Sequence, residues 1–236
     1  MQLPADALED LEAAAQLHVL GLDPSRGRQQ GLLAALQFGV ERDSTVEAGG
    51  ATRGAFVAGR VEQAGGWLPG SFEYASVIGD GRYYHPVAGV TFAGRLQYGS
   101  LVASARQSAV PFSKRFFLGG ADSLRGWGRL EVSPLSAAGL PIGGQSLVAT
   151  TGEIRLPVAG AVGAVAFVDA GRVWEDAWTL ARDLHADGGI GLRIRSPVGL
   201  LRLDVARQFT TIEGPRIDGE RRDRRWRVHV GLGHSF

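Results

Sequence analysis

The sequence contains no cysteine, which excludes a disulfide framework, a thiolate metal site and a cysteine nucleophile. Asparagine is absent too, and lysine occurs once, at Lys114, so arginine supplies 24 of the 25 basic residues. That skew reads as compositional bias. Neither sign of charge dominates: 25 Lys plus Arg against 24 Asp plus Glu leave a formal net charge of +1, which argues against a general electrostatic grip on nucleic acid. No apolar run approaches the ~20 residues of a membrane-spanning helix. The longest, residues 159–168, is broken by glycine. The start lacks a signal-peptide pattern, because Asp6, Glu9, Asp10 and Glu12 stand where a basic and then apolar stretch belongs.

Enzymatic signatures are missing as well. The five histidines, at 18, 85, 185, 229 and 234, show no metal-ligand spacing. His229 and His234 alternate to opposite faces of one strand. There is no Gly-x-Ser-x-Gly elbow, phosphate loop or dinucleotide fingerprint, and no carboxylate pair placed for acid–base work. The expectation is a protein that is not an enzyme, with no cofactor and no metal.

What is plentiful is glycine: 35 of 236 residues, about 15%, roughly twice the usual share. With 44% hydrophobic residues the chain is not a disordered one. Several segments alternate with a period of two, as half-exposed strands do. Trp226, Val228, Val230, Leu232 and Phe236 fall on one face, opposite Arg225, Arg227, His229, Gly231 and Gly233. Ile190, Leu192 and Ile194 oppose Gly189, Gly191, Arg193 and Arg195, and Ile154 and Leu156 oppose Glu153 and Arg155. Nine strands are expected, near residues 30–41, 54–63, 71–83, 87–99, 145–156, 162–174, 188–195, 200–209 and 225–236. Residues 12–20 fit either a helix or a tenth strand. A soluble sandwich and a membrane barrel both produce such alternation, with opposite faces wetted.

Connection lengths favour the barrel. Links at 157–161 and 196–199 are short, and those at 101–144, 175–187 and 210–223 are long. That is the outer-membrane pattern of tight turns on one rim and large loops on the other. Upstream the rule weakens, with 42–53 longish and 64–70 short.

Residues 114–127 carry Gly119 and Gly120 and then Leu124-Arg125-Gly126-Trp127. This segment resembles the signature loop of the Omp85 superfamily of bacterial surface-antigen barrels, with tryptophan where Phe or Tyr is commoner. Three more segments match in order: 153–157 (Glu-Ile-Arg-Leu-Pro), 167–174 (Phe-Val-Asp-Ala-Gly-Arg-Val-Trp) and the hairpin 191–204. The chain closes on an aromatic, Phe236. The resemblance covers roughly residues 30–236.

The resemblance implies an all-β, antiparallel up-and-down transmembrane β-barrel in the bacterial outer membrane. The nine or ten strands map onto the C-terminal part of a family barrel of sixteen. Residues 28–236 would form the barrel region, and 1–27 would be an N-terminal segment of uncertain structure. The chain is then a segment of a larger barrel, the favoured reading, or a short barrel that closes alone or by self-association, since open edges in lipid are forbidden. The loop 101–144 would fold back into the lumen, with Arg125 against the acids Glu153 and Asp169. The implied work is insertion or translocation of unfolded, β-rich outer-membrane or secreted clients, by strand addition at a weakly paired seam in residues 225–236. Gly231 and Gly233 would weaken that seam, and Phe236 would end it. Outer-membrane lipid is the expected surround, and the basic run 221–227 suits lipopolysaccharide phosphates at the outer rim. The alternative is a passive pore or structural barrel without assembly activity.

Overall fold

The structure is a computed structural model and describes residues 31–48, 51–104, 110–136, 139–212, 216–217, 220–221, 225–233 and 236. The expectations for residues 1–27 and for a helix or strand at 12–20 lie outside the described residues. The strands are β1 (Ala35–Asp43), β2 (Val46–Ala48), β3 (Ala51–Ala64), β4 (Tyr74–Val87), β5 (Val90–Ala103), β6 (Ser146–Ala159), β7 (Val162–Trp174), β8 (His185–Ser196), β9 (Gly199–Gln208), β10 (Arg216–Ile217), β11 (Glu220–Arg221) and β12 (Trp226–Leu232). The large sheet runs β1-β3-β4-β5-β6-β7-β8-β9-β12, every neighbour antiparallel, with β2 extending the β1 edge against β3. β10 and β11 form a separate small hairpin in the link before β12. All nine expected strands are present, shifted by a few residues at their ends. Among the described residues, β1 and β12 are the two edges, and no pairing joins them.

The link lengths alternate along the whole sheet, which corrects the upstream expectation. β2 carries the first strand on to Ala48, so the link to β3 is residues 49–50, while the link from β3 to β4 is the longer 65–73. The strand pairs on one rim are joined over two residues each, between positions 48 and 51, 87 and 90, 159 and 162, and 196 and 199. The 88–89 turn has both central residues at positive φ, Ala88 at 50° and Gly89 at 83°. This is the turn twist that matches the twist of flanking antiparallel strands. The longer links, whose described residues are 65–73, 104, 110–136, 139–145, 175–184, 209–212, 216–217, 220–221 and 225, leave the strands at the opposite rim.

Burial decides which face of the sheet is wet. On the apolar face Val230 is 78% exposed, Ile190 69% and Phe38 68%, whereas on the polar face Asp169, Asp187 and Asp204 are fully buried. In water that arrangement is inverted, since large apolar patches gather partners and buried charges cost several kcal/mol each. In a bilayer it is what a strand requires: apolar residues toward lipid and polar residues toward the interior. Among the described residues no helix is long and apolar enough to cross a membrane; the crossing elements are strands.

The polar face is not simply a water-filled surface. The 104–145 connection folds onto it. Phe116, Leu118, Leu124, Trp127 and Val132 of this connection pack with Tyr74, Leu101, Leu147 and Val173 of the strands in one buried apolar cluster near the long-loop rim. Part of the interior is therefore a dry core supplied by the loop, and the charged residues lie beneath it.

Candidate functional site

The loop holds its shape through its own backbone. Gly119 and Gly120 both adopt positive φ, 101° and 103°. A β-carbon at 119 would lie 2.3 Å from the Gly128 carbonyl oxygen, so glycine is required by conformation and by space together. The Gly120 amide donates to the carbonyls of Leu124 (3.2 Å) and Trp127 (3.1 Å), and Leu118 and Val132 pair as an antiparallel bridge. Leu124 and Trp127 point into the apolar cluster, which leaves Arg125 between them to point to the strands.

Arg125 is 1% exposed. Its Nε and Nη2 donate to Asp169 Oδ2 and Oδ1 at 2.8 Å each, and Nη1 donates to Glu153 Oε1 at 2.7 Å. The Arg125 amide adds a longer bond, 3.2 Å, to Asp169. The guanidinium carbon also lies over the Phe167 ring, 3.4 Å from its centroid. Bidentate pairing to a carboxylate and stacking on a ring both need the planar guanidinium and cannot be copied by lysine. Burial alone would make this group a weaker base, but Asp169 and Glu153 outweigh it and hold its pKa above the ordinary arginine value. Glu153 in turn accepts from Arg155 Nε at 2.8 Å. The two acids named in the sequence thus sit on β6 and β7 with the loop arginine between them.

Four neighbours were not legible. Asp187 of β8 lies directly opposite Asp169 in register and packs against Gly126, where a β-carbon would come within 2.5 Å of its own β-carbon. Its two carboxylate oxygens make no hydrogen bond among the described residues; the Gly126 amide and the Asp169 and Arg125 side chains are its polar surroundings. Gln208 of β9 donates to the Gly126 carbonyl at 2.8 Å. His229 of β12 contacts the Arg125 carbonyl through Nε2 at 2.8 Å; a carbonyl only accepts, so Nε2 carries the proton. Phe167 is the stacking partner. The sequence signal for Asp187, Gln208 and His229 was their position on the polar face, but the alternation says nothing of height along the barrel, and register is what brings them level.

Residues near the terminus depart from expectation. β12 ends at Leu232, and Gly233 turns out of the strand with φ 87°. Phe236 does not continue the lipid face: its ring stacks on Tyr84 of β4 at 6.1 Å between centroids, with the Arg155 guanidinium 5.1 Å from its centre. Gly231 stays in β12, opposite Arg202. A side chain at 231 would meet the Arg202 guanidinium at 2.7 Å, so Gly231 makes room for it. Arg227, expected at an outer basic rim, points inward to Glu131. Among the described residues no cluster of three or more His, Asp or Glu has metal-binding geometry. The arrangement is a tether: one loop arginine, buried and multiply bonded, joins the 104–145 segment to the wall of β6 and β7.

The Omp85 superfamily domain model matches residues 9–236. This chain belongs to the Omp85 superfamily. A curated relative, the outer membrane protein assembly factor BamA of Nitratidesulfovibrio vulgaris, is 29% identical over 197 residues, covering 80% of this chain and 24% of the relative. The chain thus spans about a quarter of the length of that Omp85 relative. Among solved structures, BamA from Haemophilus ducreyi lacking POTRA domains 1–3 superposes with a TM-score of 0.68 at 21% identity, over 82% of this chain and 41% of that one. CdiB from Acinetobacter baumannii superposes at 0.53 and 18% identity, over 85% and 33%. These likenesses carry the fold: an antiparallel meander of the Omp85 barrel kind. The Omp85 chain is accordingly a non-enzymatic β-barrel protein of the bacterial outer membrane.

Proposed function

We propose that this chain is the barrel region, residues 28–236, of an outer-membrane factor that inserts or translocates β-rich client proteins, with the 101–144 segment as its lumen-folded working loop. The observation that carries the reading is the Arg125 tether. Two acids from separate strands hold a buried arginine of the loop. Such a tether lets the loop keep its place while the wall beside it opens. β12, with a partner strand on one side among the described residues, supplies backbone N–H and C=O groups for an incoming strand.

The test uses the full-length protein in vesicles of bacterial outer-membrane lipid and follows the folding of an added β-barrel client. Because the chain has no cysteine of its own, single cysteines at Val228 and Val230 can be paired with cysteines along the client's strands. Accelerated client folding with disulfide-trapped adducts at β12 supports the reading. Ion conductance without accelerated folding makes the protein a pore, and adducts only at other strands remove β12 from the seam. Lipopolysaccharide binding by the 221–227 segment is tested separately, since Arg227 faces inward: loss of binding on neutralising Arg225 but not Arg227 is the expected result.

A further inference from the structure

The same loop that is tethered to β6 and β7 also holds the edge strand. β12 has three inward positions, Arg227, His229 and Gly231, and each leads to residues 122–131 of the loop. Arg227 Nη2 reaches both oxygens of Glu131, at 2.6 and 2.8 Å. His229 Nε2 donates to the Arg125 carbonyl at 2.8 Å. Gly231 clears space for Arg202 of β9, and Arg202 is ion-paired with Asp122 of the loop. Glu131 is itself aimed: the Gly128 amide donates to its Oε2 at 2.7 Å, and a β-carbon at 128 would sit 2.5 Å from Oε1.

On the outward side β12 has little else. Trp226, Val228, Val230 and Leu232 are all more than half exposed, and β9 is its strand partner among the described residues. We infer that the 122–131 segment is an interior latch on β12, with Glu131, Arg227 and His229 as positioning residues that hold the edge strand against β9. The side chains of the Arg227–Glu131 pair keep 17% and 12% exposure, whereas those of Arg125 and its acids keep 1% and 0%. The loop therefore has a fixed end on β6 and β7 and a releasable end on β12. Releasing it frees β12 without unseating Arg125.

The latch itself stands on these contacts; its consequence for clients rests on the reading proposed above. The test is amide hydrogen exchange on the full-length protein in lipid, comparing residues 228–232 with the β4–β5 hairpin, residues 77–98, as an internal control. Glu131→Gln and Arg227→Gln should each speed exchange across 228–232 by about tenfold and leave the control unchanged. The reciprocal double variant, Glu131→Arg with Arg227→Glu, should bring exchange back to within about threefold of the parent. Unchanged exchange in β12 for both single variants overturns the latch. So does a double variant no slower than the singles. If β12 loosens as expected while client insertion is unaltered, the latch stands and the seam reading fails.

Discussion

The loop meets the barrel wall in two places, and they differ in kind. At β6 and β7 the contact is dry: Arg125, Glu153 and Asp169 have no meaningful exposure, and a ring closes the guanidinium face. At β12 the contact is damp: Arg227 and Glu131 remain partly exposed, and the His229 bond is to a backbone carbonyl. The chemistry is arginine on carboxylate in both. What differs is the cost of breaking it. Removing one partner of a fully buried pair strands a charge without water and costs ~3–5 kcal/mol, whereas at the part-buried Arg227–Glu131 pair some water reaches the remaining charge and the cost falls to about 1.5 kcal/mol. A single segment thus carries one sealed attachment and one that water partly reaches.

Four experiments break or sharpen that contrast. The largest effect is expected for Arg125→Met, which strands Glu153 and Asp169: ~3–5 kcal/mol of stability lost, read as a lower urea midpoint for unfolding in lipid. Next is Gly126→Ala. Its new methyl group enters the space of Asp187, and overpacking at such a site costs ~1–3 kcal/mol; the readout is new protease cleavage within residues 110–136. Smaller again is Glu131→Gln, about 1.4 kcal/mol felt locally, the equivalent of tenfold faster exchange in β12, with no change in the midpoint of global unfolding. The smallest effect needs no mutation. Raising salt to about 1 M, where the Debye length is ~3 Å, should quicken exchange in β12 severalfold and leave the amide protection of residues 153–155 and 167–169 unaltered. Equal salt sensitivity at both ends would erase the distinction.

Particular residues show how far the sequence could be read. The period-two faces of 188–195 and 226–232 were visible in the one-dimensional pattern because strand geometry places successive side chains on opposite sides whatever the strand pairs with. Arg125, Glu153 and Asp169 were found because the loop motif and the strand motifs occur in a recognisable order. Asp187, Gln208 and His229 were not, although each lies on an inward face, because three separate pairing registers bring them level with Gly126 and Arg125. Phe236 misled for a related reason. Extending the alternation past Leu232 puts it toward lipid, but the positive φ of Gly233 ends the strand, and the ring stacks on Tyr84 instead.

Composition and alternation by themselves determined a glycine-rich, all-β chain with one greasy and one charged face per strand, and the loop motif with three further segments in order pointed to its family. Which face is wet, how much of the interior the 104–145 segment dries, and which of its ion pairs are sealed were decided only by the folded sheet. The physical reason is that the strength of a charge pair depends on the water around it, and exclusion of water is a property of the packed assembly that no residue carries alone.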